Sequence, residues 1–466
     1  MRDYSFGNFL HELRVRRGLS QFQLGMLVGV SDKAVSKWEN GSAKPQSRIL
    51  YKLGEVLGIT VDELLACRYR PENEDSKGVL AVKKALWKKA GEALTGLYGE
   101  APPVEVANRF YSEYVELKDT DQILFLDFLS RLAGLAERMG GHMRMAGGMG
   151  ASFVAFVLGA SEVNPLRPHY YCPGCRKIQF ADDVPCGWDL PPKKCSCGRE
   201  LIRDGHNLPF ETLRPMISKA AHVDVSISRN LYQAAEKVIT ECFPANKVVV
   251  LTRENPDVRT YIILDAGFPG LTDGQQLSFP ENYDRFRQYP AITLLWNEEL
   301  DAWGQMEQET GVPFGKVPFT DKKVVDAILD GSTRGIPEFS TDFSRTIIAE
   351  SAPVSVNDIL QIPGLCHGTG VWEGNGQALV KSGMPIGRLM AYRDDVFRCI
   401  QEKMKPEIGS GTGYAFRIME DVRRGTYARN GMPAVIRQQL LELGLPEWLI
   451  ESFGKIGYLF PKAHGV

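Results

Sequence analysis

The chain has 466 residues, enough for two or three domains, because folded domains cluster at roughly 100 to 200 residues each. Hydrophobic residues make up 44% and charged residues 24%, and the net charge of −2 gives no overall attraction to nucleic acid or anionic membranes. The start of the chain lacks the pattern of a secretory signal, and the longest apolar run, 151–160, is too short for a membrane helix. We therefore expect a cytoplasmic protein with no membrane contact. Nine cysteines, an odd number, argue against a disulfide framework.

Residues 1–68 predict an all-α domain of five short helices. Ser20, Ser31 and Thr60 lie where helix N-caps are preferred, and glycines follow several of the helical stretches. Apolar residues at helical spacing predict one small core. The predicted core residues are Leu10, Leu13, Leu24, Leu27, Val35, Trp38, Leu50, Leu53, Val56 and Leu64.

The stretch LSQFQLGMLVGVSDKAVSKWENG, residues 19–41, resembles the core of the Cro/C1-type, or XRE-like, helix-turn-helix regulators. In that family the recognition helix, here 31–39, enters the major groove of double-stranded DNA by its amino-terminal end. The resemblance implies these DNA-facing residues: Gln21, Ser31, Lys33, Ala34, Ser36 and Lys37. Nine basic against seven acidic residues in 1–66 favour binding as a homodimer or with help from elsewhere. The alternative is a helical domain that binds a protein partner.

Residues 69–102 begin with the polar, proline-containing stretch RPENEDSK, and we interpret them as a linker with a short basic helix. Lys83, Lys84, Lys88 and Lys89 are interpreted as a solvated face of that helix. Contact with a phosphate backbone is the alternative.

The stretch AGGMGAS, residues 146–152, predicts a turn that exposes backbone N–H groups and is able to hold a nucleotide phosphate. A tight turn before a buried segment is the alternative. Farther along lie paired cysteines, Cys172 with Cys175 and Cys195 with Cys197, whose spacing suits a structural, tetrahedral Zn²⁺ site. Buried thiols are the alternative interpretation. Cys186 is a possible substitute ligand, and the flanking histidines, His169 and His206, are possible competitors.

Several stretches then follow in a fixed order: EVNPLRPHYYCPGC, DGHNLPFET, GIPEFSTDFSR, LCHGTGVWEGNGQ, YRDD and IGYLFPKAH. Together they resemble the catalytic core of PolC, the replicative DNA polymerase III alpha chain of low-GC Gram-positive bacteria, over about residues 103–466. The resemblance implies an α+β, multidomain protein. After the helix-turn-helix domain we expect a mixed α/β palm-like region at 103–320, with a zinc knuckle at 172–197, and a helical fingers-like region at 321–466.

In that family the palm holds two Mg²⁺ ions through three aspartates, two of them one residue apart on a strand and the third on a neighbouring strand. The resemblance assigns the second position to Asp224 and the third to Asp301, whereas His222 stands at the first. A neutral imidazole is a poor Mg²⁺ ligand, so Mg²⁺ is expected only if the chain is catalytically active. Asp342 replaces a family arginine and would repel a triphosphate.

The resemblance also implies a set of nucleotide-binding residues: Gly147, Gly150, Ser152, Arg345, His367 and Lys462. By the same resemblance Gly368, Thr369 and His464 are further candidates, and Arg345 and Lys381 are weaker ones. A connector that simply turns the chain is the alternative for each of them.

Three functions remain open at this stage. The first is a DNA-binding protein that joins a helix-turn-helix regulator to a truncated, catalytically impaired polymerase core, which holds primer-template DNA or replication proteins. The second is an active DNA-directed DNA polymerase or other nucleotidyltransferase with an altered metal site. The third is an interaction protein that imitates a polymerase and binds its partners.

Overall fold

A computed structural model describes residues 4–16, 19–57, 61–66, 76–117, 122–213, 222–243, 246–287, 289–313, 321–333, 338–404 and 411–466, and the single residues 59, 120 and 336. The chain divides into two compact units, residues 1–79 and residues 80–466. Within the described ranges, none of the helices combines the length and the apolar character that crossing a membrane requires. The predicted N-cap Thr60 lies outside the described residues.

The first unit is all-helical over its described residues, as predicted. Its helices are α1 (Tyr4–Arg16), α2 (Gln21–Val28), α3 (Asp32–Glu39), α4 (Ser47–Leu57) and α5 (Val61–Ala66). At the start of α2 the Ser20 hydroxyl accepts the Gln23 N–H, and the Gln23 side chain accepts the Ser20 N–H in return. This reciprocal cap satisfies two backbone donors that a helix start otherwise leaves unpaired. Gly29 then ends α2 with a left-handed backbone.

One predicted core residue of this unit is wrong. Leu27 is 56% exposed, whereas its neighbour Val28 is completely buried. The reason is helical spacing: Leu24 points into the core, and the next position on the same face of α2 is four residues later. Val56 is only partly buried.

Residues 76–98 form one helix, α6 (Ser76–Tyr98), which is 23 residues long and therefore longer than the short helix predicted for the linker. Its carboxyl-terminal part packs into the second unit, where Trp87 contacts Tyr114 edge-to-face at 4.6 Å. The Lys89 ammonium donates a hydrogen bond to the Ser130 hydroxyl at 2.6 Å. The buried face of the helix has helical spacing and comprises Leu86, Ala90, Leu94 and Tyr98.

The next part of the chain is mixed α/β, as expected for the palm-like region. Its elements are α7 (Val104–Leu117), α8 (Gln122–Met139), β1 (Met143–Ala146), α9 (Phe153–Val157), β2 (His169–Cys172), β3 (Lys177–Phe180), β4 (Ile202–Asp204), β5 (His222–Ile227), α10 (Tyr232–Cys242), β6 (Asn246–Thr252), β7 (Val258–Asp265), β8 (Gln276–Ser278), α11 (Phe279–Phe286), β9 (Ala291–Trp296) and α12 (Glu298–Thr310). Six strands form a sheet in the order β1-β5-β9-β7-β6-β8, and three form a small antiparallel sheet in the order β3-β2-β4. In the large sheet β5 and β9 are parallel, as are β6 and β8, and the other pairs are antiparallel.

The large sheet has one covered face and one partly open face. On the covered face Tyr261 donates a hydrogen bond to Glu236 of α10, and alternate residues of β5 are buried. On the other face Phe286 of α11 packs over β6 and β7. This arrangement leaves a strip of three strands, β1, β5 and β9, which we call the open strip.

Helices dominate from residue 321 onward, as predicted. They are α13 (Lys322–Leu329), α14 (Asp342–Ser351), α15 (Val356–His367), α16 (Gln377–Lys381), α17 (Arg393–Gln401), α18 (Gly411–Arg423), α19 (Thr426–Asn430), α20 (Ala434–Glu442) and α21 (Glu447–Phe453). Asp189, close to the small sheet, accepts the backbone N–H groups of Val356 and Asn357 at the start of α15. A carboxylate at a helix start is favourable, so this contact fastens the helical region to the knuckle region.

Candidate functional site

Helix α3 of the first unit has a buried side and a polar, exposed side. Val35 and Trp38 are buried in the core, whereas Lys33 and Lys37 are exposed and lie four residues apart, so they share a face. Ser31 caps the helix through its hydroxyl, which accepts the Ala34 N–H at 3.3 Å. The amino-terminal end of α3 therefore presents polar groups to solvent.

Gln21, expected to face DNA, has an internal partner. Its side-chain amide donates to Glu39 at 2.8 Å, and Arg14 donates to both oxygens of the same carboxylate, at 2.5 and 2.9 Å. Burial alone would raise the pKa of Glu39, but hydrogen bonds from Arg14, Gln21 and His11 outweigh burial and lower that pKa. The Glu39 carboxylate thus ties α1 and α2 to the end of α3 and holds the recognition helix in place.

The predicted phosphate turn is built around a buried carboxylate. Gly147 has a left-handed φ of 85°, and a short 3-10 helix, Gly148–Ala151, leads to Ser152 at the start of α9. Ser152 is completely buried and donates its hydroxyl hydrogen bond to Glu113 at 2.7 Å. Ser152, expected to bind nucleotide, is therefore an internal hydrogen-bond donor.

Glu113 occupies the start of α9, where a phosphate would otherwise find free backbone donors. It accepts the N–H groups of Phe153 at 2.9 Å and Val154 at 3.1 Å, and it is paired with Arg109 at 2.7 Å. Arg109 in turn donates to the carbonyl of Ala151 at 2.9 Å. Glu113 is completely buried, so the donors of the turn and of the start of α9 bond to a carboxylate inside the protein.

Gly150 and Lys462 belong to the packing between the turn and the end of the chain. A Cβ atom on Gly150 would lie 3.3 Å from the Cβ of Ala463, so glycine permits the close approach. The Lys462 side chain is 3% exposed, and its ammonium lies 3.3 Å from an oxygen of Asp395. Its backbone N–H donates to Asp394 at 2.7 Å. Lys462, expected near nucleotide, is thus a partner in a buried ion pair.

The open strip carries His222 and Asp224 side by side on β5. Both side chains are exposed, and alternation along the strand places them on the same face. The strand register sets Asp224 opposite Ala146 of β1 on one side and Thr293 of β9 on the other. Among the described residues of β1, β5 and β9, Asp224 is the one carboxylate on this face.

Asp301 does not join Asp224, contrary to the expectation from the resemblance. It lies in the first turn of α12, where one oxygen accepts the backbone N–H of Arg229 at 2.8 Å and the other accepts the indole N–H of Trp296 at 2.6 Å. Asp224 lies three residues before Ile227, the last residue of β5, so about 10 Å of strand separates the two residues, and Arg229 follows farther along the chain. The position beside Asp224 on the neighbouring strand is occupied by Thr293, whose significance the sequence did not reveal.

Aromatic and imidazole rings form a group near the end of the chain, and one of them, His464, is close enough to Arg144 of β1 and Asp224 of β5 to be affected by their charges. Phe460 stacks on His464 at 5.6 Å between ring centroids, and His367 meets the same phenyl ring edge-on at 6.0 Å. Burial lowers the pKa of His464, and the neighbouring carboxylates of Glu338 and Asp224 offset that lowering only in part. His367 is hydrogen-bonded to Glu338. The rings offer apolar faces of the kind on which nucleic-acid bases stack.

Arg345 and Asp342 form an ion pair at the surface of α14. The guanidinium lies 2.5 Å from the carboxylate, and the Asp342 side chain is 98% exposed. Arg345 also donates to the carbonyl of Ser340 at 2.7 Å. The charge of Arg345 is therefore balanced by Asp342.

Four cysteines form a candidate metal centre beside the small sheet. The sulfurs of Cys172, Cys175, Cys195 and Cys197 all lie within 4.8 Å of one another, with 3.6 Å between Cys172 and Cys197 and 3.8 Å between Cys175 and Cys195. A tetrahedral Zn²⁺ with bonds of about 2.3 Å would space its sulfurs by about 3.8 Å, so the donors fit this ion. The Cys175 N–H also donates to the Cys172 sulfur at 3.4 Å, the type of contact that orients metal thiolates.

Cys186 and the two flanking histidines lie apart from this centre. The Cys186 thiol is buried and lies 3.6 Å from Nδ1 of His206, and burial lowers the pKa of His206 to about 3. His169 Nδ1 donates to the carbonyl of Arg167 at 2.6 Å. Within the described ranges, the four cysteines are the one group of three or more potential ligands that meets around a shared point. Cys186, His169 and His206 are therefore not additional ligands in this arrangement.

The fold and these sites define a two-part protein: a helix-turn-helix unit followed by a unit that has a mixed α/β part and a helical part. Residues 10–64 match the helix-turn-helix family, and residues 300–404 match the bacterial DNA polymerase III alpha subunit finger domain. The second match begins before the predicted boundary at 321 and includes Asp301.

The chain is similar to several PolC-type DNA polymerases III. It is 30% identical to that of Ureaplasma parvum over 79% of this chain, 28% identical to that of Thermotoga maritima over 83%, and 29% identical to that of Staphylococcus aureus over 86%. These matches cover 30%, 33% and 32% of the relatives, so the chain spans about a third of their length. The protein thus combines an amino-terminal helix-turn-helix domain with a DNA polymerase III finger domain in a region homologous to PolC.

Proposed function

We propose that this protein is a DNA-binding protein whose helix-turn-helix unit binds double-stranded DNA and whose polymerase-like unit is catalytically impaired. The observation that supports catalytic impairment is the set of side chains that surround Asp224 on the open strip. Two Mg²⁺ ions need several oxygen ligands, preferably carboxylates, that converge on one point. His222 supplies an imidazole and Thr293 a neutral hydroxyl, so Asp224 alone cannot hold the pair of ions.

Primer extension tests this impairment. The full chain is incubated with a primed template, all four nucleotides and either Mg²⁺ or Mn²⁺, beside Asp224→Ala and the double variant His222→Asp/Thr293→Asp. We expect no extension by the wild type with either metal. Extension by the wild type that disappears in Asp224→Ala would refute the proposal and support the alternative, an active polymerase with an altered metal site. Extension by the double variant alone would support it directly, because only the missing carboxylates were added.

For the helix-turn-helix unit, the support is the polar, solvent-facing amino end of α3 with Lys33 and Lys37 on one face. The test is selection of binding sites from random duplex DNA by the full chain, followed by measurement of affinity and of its salt dependence. Lys33→Ala and Lys37→Ala should each reduce affinity by roughly five- to tenfold. Lys52→Ala on α4 is the control. Failure to enrich any sequence would refute the proposed DNA binding by the helix-turn-helix unit and would not affect the conclusion from primer extension.

The four-cysteine centre is proposed to hold one structural Zn²⁺. Four thiolates complete the tetrahedron, so no coordination position stays open for a substrate or water. The ion would hold the tips of the knuckle together beside the small sheet and would take no part in transfer chemistry. A homodimer is proposed for DNA binding, since the first unit alone carries a small net charge.

A further inference from the structure

Helix α7 exposes an apolar stripe on the side that faces away from the core. Val106, Phe110 and Leu117 are buried, as an amphipathic helix requires. The opposite side carries Val104 at 73%, Tyr111 at 60% and Val115 at 62% exposure. Tyr111 and Val115 are four residues apart, so they are neighbours on one face. The solvent-facing side of a helix normally carries charged residues, so this exposed apolar stripe indicates a binding site for a partner.

Tyr111 and Val115 of this stripe line a groove with a volume of about 940 Å³ within the second unit. One wall is α7, and the opposite side consists of the loop around Pro209 and the carboxyl-terminal end of α17 at Glu402. Leu208 and Phe210, both buried, contribute to the lining. With its 14 residues, α7 is about 21 Å long, which gives the groove room for a helix of similar length.

The charges around the groove favour a basic occupant. Three guanidiniums line it, and each is already paired: Arg109 with Glu113 at 2.7 Å, Arg167 with Glu105 at 2.7 Å, and Arg398 with Asp395 at 3.7 Å. The carboxylates that line the groove are Glu105, Glu116, Glu211 and Glu402. Three more carboxylates pair with these guanidiniums from outside the lining, namely Asp182, Glu113 and Asp395, so the total is seven carboxylates against three guanidiniums and the Lys462 ammonium, which shares Asp395.

We propose that this groove is a protein-docking site for a basic, amphipathic helical segment of a partner protein. The apolar side of the segment would pack on Tyr111 and Val115, and its lysines or arginines would meet the acidic rim. Nucleic acid does not fit the groove, because phosphates would face a surplus of carboxylates and no unpaired guanidinium of the lining. The residues that line the groove are different from those of the open strip.

The test uses a labelled synthetic peptide of leucine and lysine, about 16 residues long, with its leucines on one helical face, and fluorescence anisotropy with the full chain. A peptide with glutamate in place of every lysine is the charge control. We expect the lysine peptide to bind and the double variant Tyr111→Arg/Val115→Arg to weaken it by about tenfold or more. Both side chains are exposed, so the variant should retain the wild-type circular dichroism and melting temperature.

The matched control is Val435→Arg on α20, an equally exposed valine outside the groove, which should change the affinity less than about twofold. Equal weakening by Val435→Arg, or equal binding of the glutamate peptide, would overturn the proposal by showing non-specific attraction. Sedimentation supplies the remaining outcome: a wild-type dimer that Tyr111→Arg/Val115→Arg dissociates would show that a second copy occupies the groove, and this too would overturn it.

Discussion

Replacing Glu113 by alanine should destabilise the second unit severely. Its carboxylate has no exposed surface and accepts four hydrogen bonds, from Arg109, Ser152, Phe153 and Val154, at 2.7 to 3.1 Å. Removing one partner of a buried ion pair typically costs about 3 to 5 kcal/mol, because the remaining charge is left uncompensated. Here the variant also leaves backbone donors of α9 unpaired, so we expect a loss at the upper end of that range.

The assay is urea unfolding followed by tryptophan fluorescence, which yields the free energy of unfolding of each variant. Glu105→Ala is the matched control, because it is the same substitution on the same helix, in an ion pair with Arg167 whose side chains are 50% and 37% exposed. That exposed pair should contribute about 0 to 1 kcal/mol. A Glu113→Ala variant within about 1 kcal/mol of Glu105→Ala would refute the view that the buried carboxylate organises the glycine turn.

Three further predictions concern the cysteine centre and the first unit. Elemental analysis of the purified chain should find one equivalent of zinc, which Cys195→Ser should abolish and the buried-thiol control Cys186→Ser should retain; loss from both variants would point to a different ligand set. The pKa of Glu39 is lowered in the folded protein, so its stabilising effect is present above the unfolded pKa of about 4.3 and is lost as pH falls through the lowered folded pKa. Accordingly, the difference in melting temperature between wild type and Glu39→Gln should shrink between neutral and strongly acidic pH, and a constant difference would contradict this. Val28→Ala should lower the free energy of unfolding by about 1 to 2.5 kcal/mol, whereas Leu27→Ala should lower it by less than about 0.5 kcal/mol. A larger loss from Leu27→Ala would show that Leu27 belongs to the core after all.

The sequence by itself determined the features that depend on residues close together in the chain. Helical spacing and N-caps such as Ser20 and Ser31 predicted the five-helix unit, because caps and periodicity act within a few residues. The cysteine pairs predicted the metal centre for the same reason, since a tight turn brings the two thiols of a pair together. Ordered motifs also identified the resemblance to PolC, and with it the mixed sheet and the helical region that follows.

Only the tertiary structure decided which distant residues meet. The register between β5 and β9 sets Thr293 beside Asp224, and a shift of one residue would have placed a different side chain on the open strip. Asp301 is instead held by Trp296, the last residue of β9, and by Arg229, which follows β5. Strand pairing joins segments far apart in sequence, so local patterns carry little information about it.

Burial likewise showed that two residues expected to bind nucleotide form internal contacts of the folded protein. Ser152 and Lys462 have the chemistry of phosphate binders, yet Glu113 and Asp395 hold them inside the second unit. A serine or lysine has the same chemical groups whether it lies in a binding cleft or in the core. Its hydrogen-bond partner comes from another element of the fold, so the local sequence does not reveal it. The folded arrangement alone assigns these polar groups to the frame of a polymerase-like unit.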